Sequence, residues 1–533
     1  MISDFRSRVA EGDLTCDLLI IGGGAAGITL AREFIASGVR VCLVESGGLE
    51  FDGATQALYE GAIVGRDYGT LDSTRLRFYG GTTNHWGGSC IALSPIDFTR
   101  RDHVPHSGWP FDREHLEPFY RRARKVLKVG DYTDFHLDRP GAEVVPFFDG
   151  SGPFEPEVWH HNRDHQDFAN WYRAELERAA DLDVLLNANV TRLIARPDGA
   201  ALTGAEIATL DGRRATIRAK VVVLACGGIE NPRLLLVSDD VVAAGIGNSH
   251  DLVGRFFMEH PILREPAVGS VFGDLTWGYP FKHVKDRTGN YLPGLRLTAA
   301  SQREHRLANG SCSIDLQLEV DDTAGYANLA TIRRALSGEE QARDLGGALW
   351  NVVTDLDDVA RGMWAKLTDT WYEPPLSASP QFVVISRTEQ SPNPASRVTL
   401  TGDRDALGLR RVALDWRLTE LDKRTVRVMI ELLAKEVGRH GLGRLKLAET
   451  FAKGDDQWPD DLDWGNHHMG TTRMHDQPRH GVVDPDCRVH GLANLFVAGS
   501  SVFPTGGHAN PTFTIVALTL RLADHLKRRG FAS

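Results

Sequence analysis

Two adjacent histidines, His467 and His468, stand in the segment GNHHMG at residues 465–470. Histidine is the side chain most easily tuned to move a proton near neutral pH, so this pair is a candidate for acid–base chemistry. Neighbouring side chains of an extended segment point to opposite sides, so only one of the two can face a given reactant. The pair itself does not select between them, and either histidine could equally be a hydrogen-bonded core residue.

The start of the chain carries a unit able to bind a nucleotide. Residues 16–46, CDLLIIGGGAAGITLAREFIASGVRVCLVES, predict a buried strand, a glycine-rich turn, an amphipathic helix and a second buried strand. Gly22, Gly24 and Gly27 have the G-x-G-x-x-G spacing, which permits a tight turn, close approach of a pyrophosphate and helix–strand packing. Glu45 ends the second strand, where an acid can bind a ribose 2′-hydroxyl and would repel a 2′-phosphate.

This fingerprint does not by itself separate FAD from NAD. It lies at the N-terminal end of a chain far longer than one Rossmann unit requires, and no second G-x-G-x-x-G follows a strand elsewhere. The second observation argues against a separate NAD(P)H site in the same chain. We therefore expect FAD as the cofactor and the substrate as the source of hydride.

Two more strand–turn–helix units follow, AKVVVLACGGIENPRLLLVS at residues 219–238 and NLFVAGSSVFPTGGHANPTFTIVALTLRLADHL at residues 494–526. Their separation predicts an α/β fold with a Rossmann-type FAD-binding domain assembled from residues 1–110, 185–265 and 456–533. Residues 111–184 and 266–455 contain alternating strands and helices, and they predict an α+β substrate-binding domain that caps the first.

Bulk composition excludes several classes of protein. The net charge of −11 argues against nucleic-acid binding, which needs a basic face. The six cysteines form no CxxC pair, so we expect no metal site. The N-terminus lacks the apolar core of a signal peptide, and no apolar run reaches the ~20 residues of a transmembrane helix, so the expected location is cytoplasmic.

Two further segments allow two interpretations each. The segment LWNVVTDLDDVARGMWAKLTDTWYEPP places Trp350, Trp364 and Trp371 along an apparent amphipathic helix. Packing of this face on the second domain is favoured over a membrane or partner surface. The five aspartates of residues 455–464 form either a solvated loop or an entrance rim that would favour a cationic substrate such as an amino sugar.

Four motifs, in this order along the chain, carry a resemblance: RFYGGTTNHWGG (77–88), ACGGIENPRLL (225–235), HHMGTTRM (467–474) and GGHANPTFTIVAL (506–518). With the N-terminal fingerprint they resemble the glucose–methanol–choline (GMC) oxidoreductases, which are FAD-dependent alcohol oxidases and dehydrogenases. The resemblance covers essentially the whole chain and is greatest to the pyranose-oxidase-like, sugar-oxidising branch. It implies additional FAD contacts from Ala26, Gly81, Asn84, His85, Trp86, Gly87, Val190, Gly227, Gly499, Ser500, Asn510, Pro511 and Thr512.

The resemblance also selects a catalytic pair. The family places its catalytic histidine three residues before the glycine of H-x-x-G, which is Gly470 here, so His467 matches the base. A neutral imidazole there takes the hydroxyl proton while the α-hydrogen leaves as hydride, and His468 would face away. The second position, His or Asn in the family, matches Asn510, whose amide can hold the substrate oxygen; an N-cap is the structural alternative. His508 either lines the same pocket or belongs to a surface turn.

The loop around His85 departs from the family pattern. Pyranose oxidases often carry Thr-His-Trp there, and that histidine can be bonded covalently to the 8α-methyl group of the flavin. This chain has Asn84-His85-Trp86, so covalent and non-covalent attachment both remain open.

The resemblance implies oxidation of an alcohol, with a secondary hydroxyl of a sugar, glycoside or cyclitol favoured. The electron acceptor would be a quinone, a dye or oxygen, and a dehydrogenase is favoured because Trp86 would crowd the flavin C4a. The alternatives are an oxygen-using oxidase and a flavoprotein of this fold without net alcohol oxidation, namely a lyase, a photoenzyme or an electron-transfer subunit.

Overall fold

The computed structural model describes residues 1–7, 13–129, 151–162, 168–264, 270–272, 284–286, 289–317, 324–336, 345–368, 381–441, 443–445, 458–459 and 462–531. Its strands are β1 (Ile2–Asp4), β2 (Leu14–Ile21), β3 (Val41–Val44), β4 (Gly61–Ile63), β5 (Ser89–Cys90), β6 (Phe154–His161), β7 (Leu182–Leu186), β8 (Asn189–Ala195), β9 (Leu202–Ala208), β10 (Arg214–Leu224), β11 (Pro261–Leu263), β12 (Ser270–Phe272), β13 (Val284–Asp286), β14 (Gly289–Leu297), β15 (Gly310–Gln317), β16 (Gln381–Thr388), β17 (Arg397–Arg404), β18 (Arg410–Asp415), β19 (Arg444–Leu445), β20 (Asp463–Trp464) and β21 (Leu495–Val497).

Its helices are α1 (Ala25–Arg32), α2 (Gly53–Gln56), α3 (Pro95–Phe98), α4 (Arg113–Leu127), α5 (Phe168–Arg178), α6 (Gly227–Val237), α7 (Ala299–His305), α8 (Gly325–Leu336), α9 (Leu345–Thr354), α10 (Leu356–Thr368), α11 (Glu420–Arg439) and α12 (Pro511–Arg529). In the part of the chain that is described, none of these helices is both long and apolar enough to cross a membrane.

The first sheet has the strand order β1-β7-β3-β2-β10-β9-β8, and β21 also pairs with β10. Strands β3, β2, β10 and β21 are parallel neighbours, although they come from three distant parts of the sequence. Their apolar runs are buried throughout, as expected for parallel strands covered on both faces. This arrangement confirms the predicted Rossmann-type fold assembled from discontinuous segments.

The second sheet has the order β19-β12-β16-β15-β14-β6-β5. Strand β11 also pairs with β16, and β20 pairs with β11. The pairings of this sheet are antiparallel, and α11 packs against β15 and β16. A smaller sheet has the order β17-β18-β4, and its Val398, Val412 and Leu414 share a core with the second sheet. These elements form the predicted α+β part of the fold.

The stretch 111–184 does not all belong to this second part, in contrast to the predicted division. Helices α4 and α5 contribute Leu116, Tyr120 and Phe168 to the core of the first sheet, and β7 is one of its central strands. Among the described residues of this stretch, only those of β6 pair in the second sheet. The sequence pattern could not show this, because an amphipathic helix has the same periodicity whichever sheet it covers.

The predicted packing of the tryptophan-rich segment is wrong for the residues that are described. Two helices, α9 and α10, replace the single helix, and Trp350 and Trp364 are each 68% exposed. The buried face of α10 instead contains Gly362 and Ala365, because small residues there let the ring of Tyr326 on α8 approach closely. Trp371 lies outside the described residues.

Candidate active site

A cavity of about 560 Å³ lies at the carboxyl ends of β2, β3 and β10. Ligands of open α/β sheets bind outside this end of the strands. The same cavity extends to the segment containing His467 and to the start of α12. It therefore joins the predicted nucleotide site to the predicted catalytic residues.

The glycines at the end of β2 differ in what surrounds them. A Cβ on Gly27 would lie 1.8 Å from the carbonyl oxygen of Gly22, so Gly27 is required by packing of α1 on the strand. A Cβ on Gly24 would meet only the oxygen of Gly80, at 4.0 Å. Packing within the protein therefore does not require a glycine at Gly24, which lines the cavity. The free space suits a group that approaches the backbone, as a pyrophosphate does.

The other end of this turn is held by Glu45. Its carboxylate accepts hydrogen bonds from the backbone amides of Gly23, at 2.8 Å, and Gly47, at 2.9 Å. Helix α1 begins here without a side-chain cap, which leaves its first amides available to an anion. An acid at the end of β3 together with an uncapped helix start fits the ribose and pyrophosphate of FAD.

Most of the predicted site residues line this one cavity: Gly22, Gly24, Ala26, Glu45, Gly81, His85, Trp86, Gly87, Val190, Gly227, His467, His468, Gly499, Ser500, Asn510, Pro511 and Thr512. Gly27, Asn84 and His508 do not line it. Gly27 packs below the turn, and Asn84 donates from Nδ2 to the oxygen of Tyr79, at 3.0 Å, which stabilises its own loop.

His508 is fully buried and points away from the cavity. Its Nε2 lies 3.4 Å from Oε2 of Glu157, and its ring packs at a centroid distance of 6.1 Å against Trp159. His508 therefore neither lines the cavity nor lies in a surface turn, the two positions that the sequence allowed. The carboxylate on β6 that holds it is 351 residues earlier in the sequence, so no local signal could have placed it.

His467 and Asn510 lie together in the cavity. Nδ2 of Asn510 is 3.4 Å from Nε2 of His467. Asn510 occupies the N-cap position of α12, but its side chain makes no capping hydrogen bond, and its buried Oδ1 has no partner among the described residues. Oδ1 of Asn510 is therefore available to accept a hydrogen bond from a bound group.

The hydrogen bonds behind His467 select its tautomer. Nε2 of His260 lies 2.9 Å from the carbonyl oxygen of Gly507, which can only accept, so this nitrogen carries the proton. Nδ1 of His260 is then the acceptor for the proton on Nδ1 of His467, 2.6 Å away. In a neutral His467 this leaves Nε2 with a lone pair, on the side where Asn510 lies.

Both imidazoles are held neutral by their surroundings. Burial, and then the neighbouring His260 and Arg387, lowers the pKa of His467 well below its ordinary value. Burial and Arg387 lower the pKa of His260 to about 3. A neutral His467 whose Nε2 carries the lone pair has the form required of a general base.

His468 also lines the cavity, but its ring packs against residues other than those that contact the ring of His467. Its ring lies between Tyr68 and Phe257, with centroid distances of 6.0 and 5.9 Å. Its Nε2 is 4.0 Å from Oε1 of Glu259, a buried carboxyl that is hydrogen-bonded to Tyr68. Burial lowers the pKa of His468 to about 3 and raises the pKa of Glu259 to about 7.

Sequence reasoning missed His260, Glu259 and Arg387. All three lie on or beside strands of the second sheet, and none belongs to one of the four recognised motifs. The only local signal was the polar pair Glu259-His260 at the start of an otherwise apolar strand, since a fully buried polar pair must have partners.

Two segments of the chain match known protein families. Residues 392–519 match the family described as GMC oxidoreductase, and residues 17–243 match that described as FAD dependent oxidoreductase. The chain is 24% identical to the 2-methyl-1,2-propanediol dehydrogenase of Mycolicibacterium austroafricanum, over 96% of this chain and 95% of that protein. It is 23% identical to the fructose dehydrogenase large subunit of Gluconobacter japonicus, over 96% and 97% of the two chains. A solved formate oxidase shares the fold, with a TM-score of 0.56 and 16% identity over 98% of this chain and 99% of that one.

Proposed function

Because the chain belongs to the GMC oxidoreductases, we propose that it oxidises an alcohol, namely a secondary hydroxyl of a sugar, glycoside or cyclitol, to the carbonyl. The observation that carries this proposal is the position of His467 Nε2. Its lone pair lies beside Asn510 in the same cavity as Gly24 and Glu45.

The proposed mechanism assigns one task to each residue. Nε2 of His467 takes the proton of the substrate hydroxyl, and the amide of Asn510 holds the substrate oxygen. His260 keeps the proton of His467 on Nδ1, away from the reacting side. Bound FAD would accept the hydride that leaves the carbon bearing the hydroxyl. Gly24, Glu45 and the start of α1 hold the pyrophosphate and ribose of FAD.

Anaerobic addition of sugars and polyols to the purified yellow protein tests this function. At least one member of such a panel should bleach the flavin absorbance, because the alcohol donates two electrons to the flavin. A lyase, a photoenzyme in the dark or an electron-transfer subunit would show no bleaching by any alcohol. That result would replace the proposed function by one of these alternatives.

The lowered pKa of His467 predicts an unusual pH dependence. A base must be deprotonated to act, so its activity is lost as the pH falls through its pKa, and a lowered pKa moves this loss to more acidic solution. The rate of anaerobic flavin reduction should therefore change little between about pH 7 and pH 5.5. A loss of rate centred near the ordinary histidine pKa of about 6.5 would contradict the prediction.

Glu259, which titrates near pH 7, is the group that could mimic such a loss. The variant Glu259→Gln removes this titration and keeps one side-chain oxygen that can accept from the backbone amides of Gly465, His260 and His467, so it is the control for the pH series. The rate of anaerobic flavin reduction should change equally little between about pH 7 and pH 5.5 in the wild-type protein and in Glu259→Gln.

We expect FAD to be bound non-covalently, so that acid releases it from the protein. Asn84 replaces the threonine that pyranose oxidases carry before their histidine, although His85 does line the cavity. Acid precipitation should give a colourless pellet and a yellow supernatant. A yellow pellet that becomes colourless in His85→Ala would instead show covalent attachment through His85.

We propose a non-oxygen electron acceptor, a quinone or a dye, because Trp86 occupies the cavity wall in the loop expected beside the flavin. Turnover with such an acceptor should exceed turnover in air-saturated buffer by at least about tenfold. An oxidase is the second candidate, because a cation near His467, Arg387, would stabilise superoxide. Equal or faster turnover with oxygen alone would favour the oxidase.

A further inference from the structure

Helices α9 and α10 carry their large apolar side chains outward. Both helices pack on α8, and the residues that they bury are small or polar: Ala348, Asp358, Gly362 and Ala365. Eight large apolar residues are instead exposed: Leu345, Leu349, Trp350, Val353, Leu356, Met363, Trp364 and Leu367. A surface helix normally buries its apolar face, so the reversed pattern indicates a contact with another molecule.

The outward residues include a stripe with the spacing of a coiled-coil seam. Its members follow one another at intervals of four, three, four, three and four residues: Leu349, Val353, Leu356, Ala360, Met363 and Leu367. All of them are exposed, and only Asp355 separates the two helices. Alternating steps of three and four are typical of the narrow stripe that one helix presents to another. These residues, called here the α9–α10 seam, therefore favour a helical partner.

The exposed apolar area is that of a protein interface. The eight large apolar residues are between 41% and 79% exposed, which leaves roughly 800–1,000 Å² of their surface uncovered. The largest apolar patch of a monomeric protein is about 300–600 Å², whereas a standard-size interface buries about 800 Å² on each partner. This face of α9 and α10 is therefore large enough to form a stable interface by itself.

The charges beside the seam argue against a lipid surface as the partner. Helices that lie on a membrane carry an excess of Lys and Arg on their polar face. Helix α9 has no charged residue, and the charges of α10 balance: Asp357, Asp358, Arg361 and Lys366. Arg361 is moreover 3.7 Å from Asp357 of the same helix. The net charge of −11 would be repelled by anionic lipids, so a protein fits this face better than a membrane does.

The spacing of the seam is the same when it is read from either end, which fits a second copy of this chain. A two-fold axis maps a patch onto itself, so it requires a patch that is complementary to its own copy. An antiparallel pair centred on Asp358 meets this requirement. Its opposed layers would be Leu349 with Leu367, Val353 with Met363, and Leu356 with Ala360.

We propose that the α9–α10 seam joins two copies of this chain into a homodimer, with the two helices of one copy antiparallel to those of the other. The same register brings Trp350 of one copy beside Trp364 of the second copy. Tryptophan is enriched at protein interfaces, and the core of an interface is poor in charged residues, as the seam is. The dimer does not depend on the reaction that the chain catalyses.

Sedimentation velocity of the FAD-loaded protein tests the proposal. The wild-type chain should sediment as a dimer at micromolar concentration. Met363→Glu places a charge within the seam and should raise the dissociation constant at least about 10²-fold, because every substitution acts twice in a symmetric pair. Val64→Glu is the matched control, since Val64 is 63% exposed and lies outside these helices, and it should remain a dimer. The FAD content of each variant shows whether it is folded.

Introduced cysteines test the antiparallel register. Val353 and Met363 are about 15 Å apart along one chain but opposite each other in the proposed pair. Val353→Cys/Met363→Cys should therefore give a disulfide-linked dimer on oxidation, visible on a non-reducing gel. Either single variant should stay unlinked, because its two copies would also lie about 15 Å apart. The native cysteines are buried or half-buried, so the wild-type protein provides the blank.

Several results would overturn the proposal. A monomeric wild-type protein would do so, and its co-sedimentation with vesicles of phosphatidylcholine and phosphatidylglycerol would assign the face to a lipid surface instead. A dimer that Met363→Glu does not weaken, or that Val64→Glu dissociates equally, would place the interface elsewhere. Disulfide-linked dimers of the single variants would show a parallel pair.

Discussion

Replacing His467 by alanine should slow anaerobic flavin reduction by about 10²–10⁴-fold, the usual contribution of a general base. The expected loss is large because neither neighbour of His467 is placed to take over the proton. Asn510 carries no basic nitrogen, and His260 lies against Nδ1 of His467, whereas Asn510 lies at Nε2. Stopped-flow mixing with a substrate found by the bleaching panel measures this rate directly.

His468→Ala is the matched control for this experiment. His468 is the adjacent residue in the chain, but its ring packs between Tyr68 and Phe257, away from Asn510. The variant should lose some stability and keep most of its rate of flavin reduction. If His468→Ala were the slower of the two, with both proteins retaining FAD, the assignment of the base to His467 would be wrong.

Gly24→Val should yield a folded protein that has lost its FAD. The space around Gly24 accepts a Cβ without a clash, and the new side chain would project where the pyrophosphate should approach. The visible absorbance of the purified variant measures the flavin content, and its thermal unfolding shows whether the fold is intact. The apoprotein should also show no turnover of any alcohol with an added electron acceptor.

Gly402→Val is the matched control for this prediction. Gly402 lies on β17, where a Cβ also meets nothing within 4 Å, and it does not line the cavity. This variant should remain yellow with one FAD per chain. A yellow Gly24→Val protein would show that the cofactor does not approach this turn, and a colourless wild-type protein that binds NAD would contradict the choice of FAD.

The N-terminal unit shows how far local sequence determines structure. The spacing of Gly22, Gly24 and Gly27 predicts a strand, a turn and a helix within 30 residues, and β2, α1 and β3 occupy these positions. Two of these glycines are required locally: Gly22 has a φ of +109°, which favours glycine, and Gly27 packs against the carbonyl oxygen of Gly22. Prediction from the sequence succeeds here because the backbone conformation depends on residues a few positions apart.

The assignment of residues 111–184 to the substrate-binding domain shows where prediction from local sequence fails. The amphipathic pattern of α4 predicts a helix with one apolar face, and such a helix is present. Which sheet that face covers depends on competition between two cores, and α4 packs against α12, almost 400 residues later. A pattern within one segment contains no information about that distant partner.

The candidate site divides in the same way. The sequence by itself determined the turn that can hold a pyrophosphate, the adjacent histidines that point to opposite sides, and an amide at the start of α12. Only the tertiary structure decided that His467 has its lone pair on Nε2, because this depends on His260 and the Gly507 carbonyl, brought together from distant segments. The carboxylate beside His508 was likewise decided by the fold, because Glu157 is 351 residues earlier in the sequence. Tautomers and charge compensation depend on atoms that meet only when the chain has folded, whereas turns and alternating faces depend on neighbours along it.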